Sequence, residues 1–556
     1  MKKTITILSF SLFLQFSIAQ TTTNYWILLK DKKDSPYSIK NPSAYLSEKS
    51  IARRVKQNIP IGVSDLPVNP SYVDAIKATG VKILNESKWL NAICVTTTDA
   101  SKVEAIKALS FVKEVESISI INAPDHKYDI EQTSAIAPAI NNSDIKSFSD
   151  VLDYGISSSQ AHQIGVNCLH ALGYQGQGMT IAVLDVGFYN VDILPAFDSL
   201  NMNGQLLGTR NFVDGGTSVY GDPSHGMSTL SCMVGNLPGR LVGTAPKAKF
   251  WLMRTENEAS ESWQEEINWL SGAEFADSVG ADIISSSLGY SIGMTNPAQN
   301  HTYSEMDGKT TIVSKAAAWA ASKGILVNSA AGNSAGPPWF KITAPGDADS
   351  ILTIGAIDST GMIASFSSRG LTYDGRIKPN TVAQGVAAIV ANPAGDVYAQ
   401  NGTSFSTPVT AGATACLWQA NPGKTNLQIL TAIERSSNQY FFPDSIYGYG
   451  IPNFCIANAM LLGIDAYQLN DNQTLNVYPN PFNTDFSINF YSSKKQTIQI
   501  ELIDISGRKI YKEEKSVSAN SARVFILDGM NEISKGIYVL RLVTPEKTYF
   551  QKVIKQ

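Results

Sequence analysis

Cysteine and histidine are scarce in this chain, five of each in 556 residues. Cys94, Cys168, Cys232, Cys416 and Cys455 never stand in a CxxC pair, which argues against a zinc site or a dithiol redox motif. An excess of one charge is also lacking. With 44 basic and 48 acidic residues, a formal charge of −4 gives no electrostatic reason to expect nucleic acid or an anionic membrane as partner. Only one apolar run stands out. Met1-Lys2-Lys3, the stretch from Ile5 to Phe16 and Ser17-Ile18-Ala19 form the three parts of a signal peptide, with cleavage expected after Ala19. That run is too short for a comfortable membrane span, so no integral membrane segment is expected in a soluble mature protein. Export permits disulfides without requiring them, and the spacing selects no pairing.

What the chain does have is length and 43% hydrophobic composition, enough for several cores. Its most informative stretch is Gly402-Thr403-Ser404-Phe405-Ser406-Thr407-Pro408, followed by small residues to Trp418. Gly402 leaves room for a substrate backbone, and Ser404 stands at the start of an expected buried helix, where unpaired N–H groups attract developing negative charge. Pro408 is expected in the first turn, where its missing N–H costs little. Alone, such a tripeptide reads as an ordinary helix cap. A serine nucleophile also needs a base. Of His126, His162, His170, His225 and His301, the best placed is His225, in a turn-like segment followed by Gly226 and a helical run of small residues. Asp185 ends the apolar run Met179 to Leu184, which reads as a buried parallel strand, and could orient that imidazole. Its plainer reading is a strand-end turn.

The order Asp185, His225, Ser404 is that of subtilisin, not of chymotrypsin or the α/β-hydrolases. The chain resembles the subtilases at these segments and at Ala330-Ala331-Gly332-Asn333-Ser334, Ala281 to Gly289, Phe366 to Gly370, Lys378 to Gly385 and Tyr447 to Asn453. Two positions depart from the family pattern. Val186 follows the aspartate where Ser or Thr is usual, and Met227 replaces a common Thr. Neither removes a reacting group, and both bear on the hydrogen bonding around Asp185 and His225.

The resemblance implies a three-layer α/β fold on a mainly parallel sheet, and a serine endopeptidase in which Ser404 attacks, His225 moves the proton and Asp185 holds the imidazole. Asn333 and the Ser404 N–H would form the oxyanion hole. Ser287, Leu288 and Gly289 on one edge, and Ala330, Ala331 and Gly332 on another, would offer unpaired backbone to an extended substrate. Trp339 and Phe340 are unassigned candidates for the specificity pocket. No metal or cofactor is required for this chemistry, although the family often carries structural calcium. The alternatives are a catalytically inactive binding protein on the same fold, or an esterase using the same triad.

The rest divides as 1–19 signal peptide, 20–122 N-terminal domain, 123–158 linker, 159–462 peptidase domain, 463–475 linker and 476–556 C-terminal domain. Residues 25–30, 41–55, 81–85, 91–97, 100–109 and 115–120 read as strand, helix, strand, strand, helix, strand, a ferredoxin-like pattern. Subtilases usually carry such a propeptide, which occupies the cleft as inhibitor, so the resemblance implies a zymogen cut within the polar linker 123–158. A separate binding domain is the alternative. The tail, without cysteine or histidine, alternates as short strands over 486–490, 498–503, 509–511, 521–526, 536–542 and 548–554, a small all-β sandwich. Through Val477-Tyr478-Pro479-Asn480-Pro481, Asp504 to Arg508 and Lys535 to Arg541 it resembles the C-terminal sorting domain of the Bacteroidetes type IX secretion system. That implies export through periplasm and outer membrane, to the medium or the cell surface, with the secretion machinery as partner. A carbohydrate- or protein-binding module is the rival.

Overall fold

The computed structural model describes residues 23–118, 150–221, 223–462, 475–492, 494–518, 521–527 and 530–556. The signal peptide, His126, most of the first linker and nearly all of the second lie outside these residues.

A seven-stranded parallel sheet organises the central domain, in the order Thr381–Gln384, Leu352–Ile357, Leu326–Ala330, Ile283–Ser286, Thr180–Asp185, Lys249–Arg254, Leu206–Asn211. Its middle strands are buried along their whole length, as expected where helices cover both faces. The helices His225–Val234 and Thr403–Ala420 pack on one face, and Trp263–Val279 and Ile312–Ser322 on the other. Small residues let Thr403–Ala420 run buried across the sheet, and a Cβ on its Gly412 would collide with Thr244. Its buried hydroxyls are satisfied one turn back: Thr407 donates to the Thr403 carbonyl, Thr410 to Ser406 and Thr414 to Thr410.

The central domain starts earlier than composition suggests. Tyr154 and Ser157, expected in the linker, are buried: Tyr154 packs against His170, and Ser157 Oγ donates to the Tyr154 carbonyl at 2.8 Å. A disulfide joins Cys168, on helix Val166–Ala171, to Cys455, on helix Phe454–Leu461, and so ties together the two ends of the domain. Cys94, Cys232 and Cys416 are buried free thiols.

The N-terminal domain has the ferredoxin-like strand order, Lys82–Ser87, Ala92–Thr97, Thr23–Leu29, Val112–Ile118, all antiparallel. Its helices differ from expectation. The one foreseen over 41–55 runs Glu48–Lys56, capped by Ser47, while Pro70–Ala78, unforeseen, is the one whose Ile76 packs with Ile27, Ile93 and Ile106. Asn69 caps that helix and Pro70 opens it, a position where proline is favourable. The tail forms two sheets around one apolar cluster, 475–478, 486–492, 521–527 and 509–517, 496–504, 536–543, 548–555. Lys509–Val517 is longer than its sequence suggests because charges on this edge strand mask the alternation.

The N-terminal domain sits on helix Trp263–Val279. Asn24 and Asn85 bond Gln264 and Asn268, and Glu274 accepts from Ser87 Oγ at 2.6 Å and from the Lys88 and Trp89 N–H groups at 2.8 and 3.0 Å. Deeper in, the buried Asp277 carboxylate meets Arg53, Arg54 and Lys88. Burial would raise that carboxyl, but the three cations outweigh it and hold it at about 2. Asp277→Ala would leave buried Arg53 and Lys88 without this counter-charge and Arg54 with Asp65 alone, at a cost of about 3–5 kcal/mol. The expected result is a lower urea midpoint for the full-length chain kept uncut by Ser404→Ala, and an unchanged midpoint would show that the ion cluster adds no stability.

Candidate active site

Asp185 ends the strand Thr180–Asp185, next to the central strand Ile283–Ser286, and is wholly buried. Its Oδ1 accepts from His225 Nδ1 at 2.7 Å and from the Val186 N–H at 2.8 Å, and its Oδ2 accepts from Thr229 Oγ1 at 3.0 Å. His225 opens its helix, and a Cβ on Gly226 would collide with the Gly187 carbonyl, so only glycine lets this turn come so close to the strand end. Burial alone would lower the imidazole pKa. The charge of Asp185 and its hydrogen bond outweigh burial and raise it above 6.5.

Ser404 is the second residue of the helix Thr403–Ala420 and follows Gly402, whose φ of 155° favours glycine. Asn333 is fixed to the same helix end: its Oδ1 accepts from Thr403 N–H at 2.9 Å and from Thr403 Oγ1 at 2.8 Å. Its Nδ2 lies 3.6 Å from where a Cβ on Gly402 would stand. Ser404 Oγ donates to the Ser287 carbonyl at 3.4 Å, not to His225, whose ring lies 6.1 Å from that of Phe405.

Pro408 is the sixth helical residue, not part of the first turn as expected. Lacking an N–H, it leaves the Ser404 carbonyl without its usual helical donor, and Ser287 Oγ donates there instead at 2.8 Å. The proline thus binds Ser404 to the edge Ser287-Leu288-Gly289. The second edge differs from expectation. Ala331 spends its N–H on the Ile354 carbonyl and its carbonyl on the Thr343 N–H, and the Gly332 carbonyl accepts from Ser368. These groups are therefore not free for a substrate strand. Thr343 is buried between the edges, where a Cβ on either Gly289 or Gly332 would run into its hydroxyl. Trp339 turns inward, its Nε1 donating to the Ile342 carbonyl at 3.3 Å, whereas Phe340 is exposed.

The other described histidines are engaged elsewhere. His170 contacts Tyr154 and the Thr244 carbonyl, His162 pairs with Asp150, and His301 with Glu266. Sequence reasoning missed three contributors, Thr229, Thr343 and the Pro408–Ser287 link. Thr229 was accessible in principle, since it stands four residues after His225 and so shares its helix face.

Among the described residues, Glu256, Glu261 and Glu265 bring carboxylate oxygens within 4.8 Å of one another. Both Glu265 oxygens accept backbone N–H groups, from Asn257 and Ser262, and Glu256 accepts from Thr255 and Tyr290. Burial raises the Glu256 and Glu265 carboxyls towards their neutral forms. Glu265, with both oxygens on backbone N–H groups, has little left to offer a metal ion.

Residues 176–450 match the subtilase family. Subtilisin of Bacillus pumilus is 31% identical over 307 residues, which cover 54% of this chain and 96% of that protein. The chain belongs to the subtilase family. Subtilisin E of Bacillus subtilis (strain 168) is 28% identical over 387 residues, covering 68% of this chain and 84% of that one. Serine protease AprX of the same organism is 28% identical over 356 residues, covering 58% and 74%. Residues 24–134 match the Bacteroidota peptidase S8 propeptide domain, and 476–556 the secretion system C-terminal sorting domain. This subtilase is a serine endopeptidase made with a propeptide, and its sorting domain marks it for secretion or attachment at the cell surface. No helix among the described residues is long and apolar enough to cross a membrane.

The raised pKa makes a direct expectation. Followed by proton NMR, His225 should stay protonated above pH 6.5, and Asp185→Asn, which removes the charge, should lower its pKa. The pair's contribution to stability is then complete below pH 6.5 and is lost as pH rises through the folded pKa. A titration indifferent to Asp185→Asn would show that the carboxylate does not govern this imidazole.

Proposed function

We propose that Ser404 is the nucleophile of a secreted endopeptidase, with His225 as general base and acid and Asp185 as the residue that fixes its tautomer. The observation that carries this reading is the 2.7 Å bond between buried Asp185 and His225 Nδ1, beside the helix end that holds Ser404. With Nδ1–H committed to Asp185, Nε2 is left to take the Ser404 proton as Oγ attacks a peptide carbonyl. The negative charge formed on the carbonyl oxygen is met by Asn333 Nδ2 and the Ser404 N–H, both near the positive end of the Thr403–Ala420 helix. His225 then protonates the leaving amine, an acyl-enzyme remains on Ser404, and water releases it by the same steps in reverse. The edge Ser287-Leu288-Gly289 takes the substrate backbone, and Ala330, Ala331 and Gly332 contribute shape to the opposite wall.

The domain order supports a zymogen: residues 20–122 cover the enzyme as an inhibitory propeptide, a cut within 123–158 but ahead of the packed Tyr154 releases the peptidase domain, and 476–556 directs type IX export through the outer membrane. No cofactor takes part in any step.

The full chain expressed beside Ser404→Ala tests this. Wild type should shed its N-terminal domain and hydrolyse peptides as well as matched esters, where an esterase would cleave the esters alone, while the variant keeps its N-terminal domain and is inert. Asn333→Leu should lower kcat by about 10²- to 10³-fold, as loss of the equivalent donor does in subtilisin. Activity surviving in Ser404→Ala would remove Ser404 from the mechanism.

A further inference from the structure

We infer that Thr229 is a positioning residue for the reaction, orienting Asp185 with a hydroxyl that the neighbouring Val186 cannot supply. The inference rests on the proposed roles of Asp185, His225 and Ser404.

A carboxylate buried as completely as Asp185 needs donors on both oxygens. Oδ1 has two, His225 Nδ1 and the Val186 N–H. Oδ2 accepts from Thr229 Oγ1 at 3.0 Å. Val186 contributes its backbone only, because its side chain is apolar and buried. The Thr229 hydroxyl has one proton and two acceptors in reach, Oδ2 at 3.0 Å and the Gly226 carbonyl at 3.1 Å. The ionised carboxylate is the stronger acceptor and takes the proton.

This arrangement grips the carboxylate at two points from one helix. His225 and Thr229 are four residues apart, so a single turn presents the imidazole to Oδ1 and the hydroxyl to Oδ2. Rotation about the Cβ–Cγ bond of Asp185 would swing Oδ1 away from Nδ1, and it cannot occur without breaking the Thr229 bond. Thr229 acts on the reaction only through Asp185, by keeping Oδ1 against Nδ1 and hence Nε2 aimed at Ser404.

The test measures kcat and KM for peptide hydrolysis by the mature enzyme carrying Thr229→Val, Thr229→Ser, Thr229→Val with Val186→Ser, and Asp185→Asn with and without Thr229→Val. Variants that mature slowly are processed by resin-bound wild-type enzyme, which is then filtered off. Thr229→Val should lower kcat about 10- to 100-fold and change KM less than about twofold, the effect of losing a hydrogen bond to a charged group in the chemical step. Thr229→Ser keeps the hydroxyl and should stay within about threefold of wild type, and adding Val186→Ser to Thr229→Val should restore most of the loss. In the Asp185→Asn background, Thr229→Val should cost less than about twofold, because the path it acts through is already cut. Should Thr229→Val not fold, Thr229→Ala carries the same expectations. A wild-type kcat without the hydroxyl, or the same fold-loss in both backgrounds, overturns the positioning role. Activity in Ser404→Ala would instead overturn the underlying reading, and the two failures are told apart by that variant alone.

Discussion

Everything at this site depends on a carboxylate buried at the end of a parallel strand. Asp185 cannot be there as a lone charge, since an unpaired buried ion costs far more than a folded domain can spare. The surrounding structure supplies its donors from one helix, His225–Val234, and one backbone N–H. The helix can reach only because Gly226 has no side chain to strike the Gly187 carbonyl. The same burial that makes Asp185 costly makes its field on His225 strong, and the imidazole pKa rises although burial alone would lower it.

The second half of the site is held by exchanges at the opening of helix Thr403–Ala420. Asn333 uses its carbonyl oxygen to cap Thr403, which fixes the amide nitrogen beside Gly402. Pro408 withholds one helical N–H, and Ser287 fills the gap, so the edge Ser287-Leu288-Gly289 and Ser404 are bonded to each other. The first satisfies an N–H at the helix start, and the second a carbonyl orphaned by a proline inside the helix. Together they place a hydroxyl, an amide donor and a strand edge on rigid elements, as catalysis by positioning requires. The propeptide is fastened well away from these residues in sequence, through Arg53, Arg54 and Lys88 on Asp277.

Much of this was legible in the sequence because local chemistry marked it. The run ending at Asp185, the His225-Gly226 pair and the glycine before Thr403 each demand a particular backbone, and their order narrows the fold. Contacts between distant segments were not legible. Helix Trp263–Val279 carries Gln264, Asn268, Ser271, Glu274 and Asp277 along one side, a polar stripe that nothing in the local sequence assigns to a contact and that the propeptide covers. The Cys168–Cys455 bond spans 287 residues, and no spacing rule selects it from five cysteines. Pro408 suggested a first turn because proline is harmless there, whereas the structure uses it deeper, where the missing bond is exploited. The expected free backbone at Ala330 to Gly332 failed for a similar reason. Its partners, Ile354, Thr343 and Ser368, come from segments that nothing in the local sequence points to.

The most direct measurement is the rate of inactivation of the mature enzyme by a fluorophosphonate as a function of pH, with the labelled residue located by peptide mapping. If Asp185 raises His225 and His225 activates the serine, the adduct lies on Ser404 and the rate climbs through an apparent pKa above 6.5. An adduct on another residue, no adduct, or a rate indifferent to pH across that range would contradict the account.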